Sequence, residues 1–379
     1  MAKNKKDGYI KIVLEDGFAI QKGAGIGQHT LNLSHQLRKF PEIDSVQLME
    51  KPFLSRISSA SLRRALYIAW LNSGLQMVLR RKRVDIIHFT NYLIPVLRLS
   101  KAKYVVTIHD LTAWRFPETL PRAYVSYIKW AISHAVKTAD LICTVSDAVK
   151  KEIVELFNID EEKVQTCYSG VSKEFCKLPD GLLNNFLIKL QRKFPIKPGF
   201  LLFVGTLERR KNVMTLLKAF SRLEARLEDL NLQLVLAGSP GNSYPEIRTY
   251  LEENNLKDRV ILTGYVTKEE LIALYNLSRI FVFPSLYEGF GTPLLEAMAC
   301  GVPIVASEIP STKEVAKDAV FYYGEPCNAE ALTQAIIKVL EDEDLQRNLV
   351  VKGLGRVKVF SWEKIAEKHL RAYREALEN

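Results

Sequence analysis

Two glutamates, Glu288 and Glu296, stand with seven residues between them in the run SLYEGFGTPLLEAMACGVPIVAS, residues 285–307. After Glu288, the triplet Gly289-Phe290-Gly291 permits tight backbone turns and close approach to a ligand. Thr292 suits an N-cap and Pro293 a first helical position, so the spacing predicts a short helix over 293–299, ended by Gly301. Free N–H groups at that start, around Thr292, Pro293 and Leu294, would favour an anion such as a phosphate. Glu296, one turn further in, is placed for a neutral hydroxyl instead. A second charged centre lies in GTLERRKN, where Arg210 and Lys211 could meet developing negative charge and Arg209 could share the work. A capped strand–loop–helix also occurs in proteins without a ligand, and a basic triplet also describes a solvated loop.

Two further stretches could do chemistry. GAGIGQH carries glycines at 23, 25 and 27 but Thr30 where a dinucleotide fingerprint needs glycine, which argues against NAD. The amides near Gly25 and Gly27 could still approach a phosphate or sugar. His109 ends the run YVVTI and precedes Asp110, which could orient its ring. By contrast, Asp342-Glu343-Asp344 has a metal-binding spacing but lies in a polar helical stretch and reads as a solvated face. Cys300 has no basic neighbour to activate it and reads as core.

The elements that must position these residues alternate short β-rich runs with longer helical ones, the signature of a parallel α/β sheet. Six strands are predicted in the first half, at 9–15, 46–50, 84–89, 104–110, 141–146 and 164–170. Six more follow at 200–205, 232–238, 259–264, 280–285, 302–307 and 320–324. Pro179, Gly181, Pro195, Pro198 and Gly199 cluster as breakers between the halves. The organisation expected is a first domain over 1–178, a second over 179–360, and a C-terminal helix over 361–379 returning to the first. Two doubly wound domains facing each other would form a cleft at their strand ends.

A chain of 379 residues with 47% hydrophobic and 25% charged residues is neither disordered nor fibrous. Five cysteines without a Cys-x-x-Cys pair exclude a disulfide framework and fit a reducing compartment. MAKNKKDGYI has no apolar stretch after its basic residues, so no signal peptide is expected, and a cytoplasmic protein is. Of the formal charge of +10, +9 falls in residues 1–170. Residues 51–84 hold eight Lys and Arg and no acid around an apolar run with Leu66, Tyr67, Ile68, Trp70 and Leu71. That is the composition of a helix against an anionic membrane surface at the inner face, and equally of a buried helix with solvated basic ends. Nucleic acid fits less well, since no reader module is present.

The run around Glu288 and Glu296 resembles the donor-site signature of family-four retaining glycosyltransferases. GAGIGQHTLNL (23–33), TIHD (107–110), TVSDAVKKEI (144–153), FVGTLERRKNVMTLLKAF (203–220) and LTGYVTKEELIALY (262–275) resemble further family segments in the same order. The resemblance implies the GT-B fold: two Rossmann-like α/β domains and a metal-independent site for a UDP- or GDP-sugar, with no cofactor beyond that co-substrate. It implies that His109 contacts the donor sugar, that Lys211 binds the diphosphate, and that Glu296 holds the ribose. Tyr265 and Val266 would face the base, and Glu288 with the backbone of Phe290 and Gly291 would grip the sugar. The chain departs from the family at Thr206, where many relatives carry Arg, so Arg210 is assigned the second cation.

The implied reaction is retaining transfer of a hexose to a saccharide acceptor, lipid-linked or not, as in bacterial polysaccharide assembly. Front-face attack is expected, with the departing phosphate taking the acceptor's proton. The alternatives are a nucleotide-sugar epimerase of the same fold and a non-catalytic sugar-nucleotide-binding component of an assembly complex.

Overall fold

The computed structural model describes residues 9–15, 25–49, 54, 57–81, 83–226 and 232–378. Gly23 of the glycine-rich stretch, and Lys51, Arg56 and Lys82 of the basic segment, lie outside the described residues. The chain divides into two compact units. The first is Met1–Trp114, Leu120–Gly170 and Trp362–Asn379; the second is Arg115–Thr119 and Val171–Ser361. The division at Gly170 precedes the breaker cluster, which brackets the helix Asp180–Gln191.

The first unit is built on six parallel strands: β1 (Ile10–Glu15), β2 (Ile43–Leu48), β3 (Ile86–Phe89), β4 (Lys103–Ile108), β5 (Leu141–Thr144) and β6 (Val164–Thr166). Their order is β2-β1-β3-β4-β5-β6. β3 and β5 are buried at every residue, as expected of strands covered on both faces by helices. The helix Asp147–Phe157 starts where Ser146 accepts from Val149 N and stops at Asn158 in the left-handed region. The C-terminal helix Trp362–Glu378 belongs to this unit, with Trp362, Ile365, His369 and Tyr373 buried. Tyr373 reaches His88 on β3, its hydroxyl 2.7 Å from Nδ1, and His88 Nε2 lies 2.7 Å from Thr107 Oγ1.

The second unit has β7 (Phe200–Val204), β8 (Leu234–Ala237), β9 (Val260–Gly264), β10 (Ser278–Phe283), β11 (Ile304–Ala306) and β12 (Phe321–Tyr322), all parallel. Read from one edge the order is β9-β8-β7-β10-β11-β12, the Rossmann arrangement 3-2-1-4-5-6. Its sequence order reverses between β7 and β10, and ligands of doubly wound sheets bind outside the carboxyl ends of the strands at such a point. Its core joins Leu201, Phe203, Leu216, Phe220, Leu236, Val282, Leu332 and Ile336 from strands and covering helices.

All twelve predicted strands form; ten are shorter than the β-rich runs, by one to four residues, while Ile43–Leu48 and Ser278–Phe283 begin earlier than expected. The apolar run from Leu66 to Leu71 lies in the helix Ala60–Asn72, which breaks at Ser73 before a second helix, Gly74–Arg81.

Candidate active site

Lys211 follows β7 and Glu288 follows β10, so the switch point of the second sheet brings them together. Lys211 Nζ lies 2.6 Å from Glu288 Oε1, and Arg210 donates to Glu288 Oε2 at 3.0 Å. Ser285 Oγ adds a third bond, to Oε1, at 2.7 Å. The two loops that carry these side chains are stitched together by main-chain bonds. Leu286 N donates to Arg210 O at 2.8 Å, and Asn212 Nδ2 donates to Pro284 O and Pro326 O. Asn212 takes the left-handed conformation that ends the tight turn Arg209–Lys211, and its Oδ1 accepts from Thr215. Gly238, at the end of β8, passes so close to Gly205 that a Cβ there would sit 2.0 Å from the Gly205 carbonyl oxygen.

Burial alone would push the Glu288 carboxyl up, but Lys211 and Arg210 outweigh that and hold it below the ordinary range. Glu288 is therefore an anion fixed between two cations. Arg210 also pairs through Nε with Glu208, at 2.8 Å, so two cations face two carboxylates and the cluster is formally neutral. Arg209 is exposed, and its backbone N–H donates to Asn242 Oδ1. Of the two arginines, Arg210 is thus the one beside Lys211.

The short helix runs Thr292–Ala299, one residue earlier than the sequence suggests. Its N-cap is Gly291 at φ 92°, not Thr292, because the left-handed turn there is open to glycine and closed to threonine. Of the three expected helper amides, Pro293 has no N–H and Leu294 N donates to Gly291 O at 2.9 Å. Thr292 N–H is the one that remains for an anion. Gly301, at φ 71°, stops the helix as expected. Glu296 lies a turn inside and accepts from Tyr275 Oη at 3.0 Å. Burial raises its carboxyl to about 7, with the Tyr275 bond pulling the other way. Phe290 is buried against Phe360, ring centroids 5.5 Å apart. Tyr265 follows β9 with 79% of its surface exposed, and Val266 comes next to it in the same loop.

His109, Gly25 and Gly27 belong to the first unit. Gly25 opens the helix Gly25–Leu37 and Gly27 is buried in its first turn. His109 follows β4 and donates from Nε2 to Thr90 O at 2.9 Å, so the Thr90 carbonyl orients the ring. The expected orienter, Asp110, instead accepts from Thr112 N at 2.9 Å. Burial holds His109 below its usual range, and His29, His88 and His369 gather beside it, also buried and depressed.

Tyr275, Ser285, Glu208 and Asn212 escaped the sequence reading. Tyr275 lies at a core-facing helical position, where nothing separates it from packing. Asn212 did carry a signal: an asparagine after a basic turn is a left-handed stop. Asp342 caps the helix Glu343–Val357 by accepting from Leu345 N, while Arg347 pairs with Glu343 and Asp344. That acidic triplet is a solvated helix start. Cys300 is buried, and burial pushes its thiol up to about 12, as core packing implies. Among the described residues, the group able to present several metal ligands is Cys143, Cys167 and His369, all buried in the first unit.

Residues 187–354 match the family described as Glycosyl transferases group 1, and residues 24–175 match Glycosyltransferase Family 4. The O-antigen chain mannosyltransferase B of Escherichia coli is 30% identical over 372 residues, covering 92% of this chain and 96% of that protein. The chain belongs to the family-four GT-B glycosyltransferases. The O-antigen chain mannosyltransferase RfbU of Salmonella typhimurium is 25% identical over 85% of this glycosyltransferase and 88% of its own length. Among solved structures, a glycosyltransferase from Rickettsia africae superposes with a TM-score of 0.72 at 20% identity, covering 98% of this chain and 99% of that one. HepE from Anabaena gives 0.73 at 16% identity, over 96% and 99%. These likenesses bear out the two-domain Rossmann-like GT-B fold expected of the glycosyltransferase.

Proposed function

We propose that this glycosyltransferase moves a hexose from a UDP- or GDP-sugar to a hydroxyl of a saccharide acceptor, with retention at the anomeric carbon and without a metal ion. The observation that carries the reading is the cation pair Lys211 and Arg210, fixed at the switch point by Glu288. Mannose is the sugar favoured, because the full-length relatives are named O-antigen mannosyltransferases. A lipid-linked acceptor has support in a Campylobacter jejuni relative, 29% identical over 64% of this chain, whose name specifies a diphospho-undecaprenol-linked substrate.

Breaking the anomeric C–O bond leaves positive charge on the sugar and negative charge on the departing diphosphate. Preorganised cations stabilise that leaving group most effectively where water is excluded. Lys211 and Arg210, with Thr292 N–H, would meet the diphosphate. Glu208 is the more exposed of the two carboxylates on Arg210, so it is the partner free to give way to the incoming anion. Glu288 stays, keeping Lys211 aimed and offering its remaining acceptor capacity to a sugar hydroxyl. Glu296 would accept from the ribose hydroxyls, and the backbone at Tyr265 and Val266 would lie along the base. His109 would touch the sugar. The acceptor oxygen forms the new anomeric bond on the face the diphosphate leaves, and its proton passes to a phosphate oxygen.

A panel of UDP- and GDP-hexoses with a saccharide acceptor tests the reading, using NMR of the product's anomeric proton. An α-linked donor should give an α-linked product. A β-linked product would refute retention, and free epimerised donor would refute transfer.

A further inference from the structure

A buried tyrosine needs a partner for its hydroxyl, and the partner that Tyr275 finds belongs to the donor site. Tyr275 stands on the helix Lys268–Leu277, where Ile272, Leu274 and Leu277 enter the core with it. Its ring is fully buried, edge-on to Phe281 of β10 and to Phe175, with ring centroids 5.4 and 6.1 Å away. The hydroxyl lies 3.0 Å from Glu296 Oε2 and 3.4 Å from Pro293 O, both on the helix Thr292–Ala299. Burial and the neighbouring carboxylate hold the phenol well above its usual range, so the oxygen keeps its proton and donates it.

The helix that carries Tyr275 is fixed at both ends. At its start Thr267 and Glu270 form a capping box, and Glu270 also pairs with Lys193. At its end Asn276 donates to Cys176 O at 3.0 Å and accepts from Leu178 N at 2.8 Å. The helix begins two residues after Val266, so one anchored element follows the loop expected at the base and bears the hydroxyl that meets Glu296. Among the described residues, the titratable groups set against Glu296 are Tyr275 and, one turn on along its own helix, Cys300. β11 brings only Ile304, Val305 and Ala306 to this helix, and the helix Glu343–Val357 sets Gly353 against Met298. The cations of that second helix are engaged elsewhere: Arg347 with Asp344, Lys352 with Asp318, and Arg356 with the Val315 carbonyl. Burial and the Tyr275 bond therefore set the Glu296 carboxyl between them, burial raising it and the bond lowering it.

We propose that Tyr275 is a positioning residue of the donor site: its hydroxyl holds Glu296 Oε2 and so leaves Oε1 aimed at the ribose hydroxyls. The inference rests on the ribose role given to Glu296 above. A carboxylate on a flexible side chain is held in one arrangement by a donor that is itself locked by packing, which is how a supporting residue preorganises a binding group. The same bond favours the charged form, the better acceptor for a hydroxyl. Phenylalanine at 275 would keep the ring and its packing and remove both effects.

Calorimetric titration with GDP and with 2′,3′-dideoxy-GDP, and with the matching uridine pair, tests this at pH values on both sides of neutrality. The chains compared are the parent, Tyr275→Phe, Glu296→Gln and the double variant, with thermal unfolding to check that each is folded. Tyr275→Phe should move the midpoint of the ribose-dependent part of binding up by about one pH unit, which weakens the ribonucleotide about ten-fold below that midpoint. It should leave the dideoxy nucleotide unchanged, and it should have no effect in the Glu296→Gln chain, where the partner is gone. An unmoved midpoint would overturn the inference. So would equal weakening of both nucleotides, the mark of a merely structural defect, or a loss that persists beside Glu296→Gln. A parent that binds ribose and dideoxy nucleotides alike would refute the ribose role of Glu296 and this inference with it. A parent that prefers ribose, with Tyr275→Phe behaving like it, would overturn the inference alone.

Discussion

Glu296 is the residue whose state the solution can set. Its carboxyl is raised to about 7 from an ordinary 4.5, so the free chain carries a proton there that an unfolded chain would release. On that account Glu296 subtracts stability as pH climbs from 4.5 through 7, the direction for an acid whose charged form is penalised on folding. Ribose hydroxyls bind best to the carboxylate, so donor affinity should rise with pH by up to about ten-fold per unit below neutrality, then level off. Calorimetric titration of a nucleoside diphosphate at several pH values checks this, with Glu296→Gln as control. The Gln variant should lose the part of the pH dependence beyond the nucleotide's own phosphate titration; an unchanged profile would remove Glu296 from ribose binding. The types and spacing of Glu288, Glu296 and Lys211 made them legible in the sequence. Their pairing was not, because Lys211 and Glu288 meet only through strand order, which no local pattern encodes.

At the scale of elements, the strands were legible because parallel strands buried on both faces read as unbroken β-branched and apolar runs, as IIHF and LICT do. Helix starts were less so. Thr292 has the chemistry of a cap, yet Gly291 takes the position, since the choice depends on the backbone angle reached after β10. The junction of β7 and β8 is the tightest point beneath the site, and only glycine fits at Gly238. Gly238→Ala should therefore cost at least about 1–3 kcal/mol and displace the turn that carries Lys211. Thermal unfolding followed with and without a nucleoside diphosphate reads both effects: a lower midpoint and a smaller ligand shift. An alanine variant matching the parent in both would show that the two turns have room to part.

At the scale of the whole molecule, the two units differ in what acid does to them. His29, His88, His109 and His369 are clustered and buried in the first unit, all depressed by burial, His369 to about 4. An unfolded histidine takes up a proton near 6.5 and these do not, so the first unit should lose stability as pH falls below that value. The loss is about 1.4 kcal/mol per histidine for each pH unit, until each folded value is reached. All four tryptophans, Trp70, Trp114, Trp130 and Trp362, lie in that unit, so their fluorescence reports its denaturation alone. Its urea midpoint should fall between neutral and mildly acid buffer, and an unchanged midpoint would mean that the cluster is hydrated. The central claim is that fixed positive charge at the second unit's switch point, and not a divalent ion, drives departure of the diphosphate. The most direct measurement is release of nucleoside diphosphate from GDP-mannose or a UDP-hexose in the presence of chelator, for the parent and for Lys211→Ala. Release by the parent should survive the chelator, and Lys211→Ala should lower it by about 10–200-fold. Release that stops with the chelator, or that Lys211→Ala leaves intact, would contradict the account.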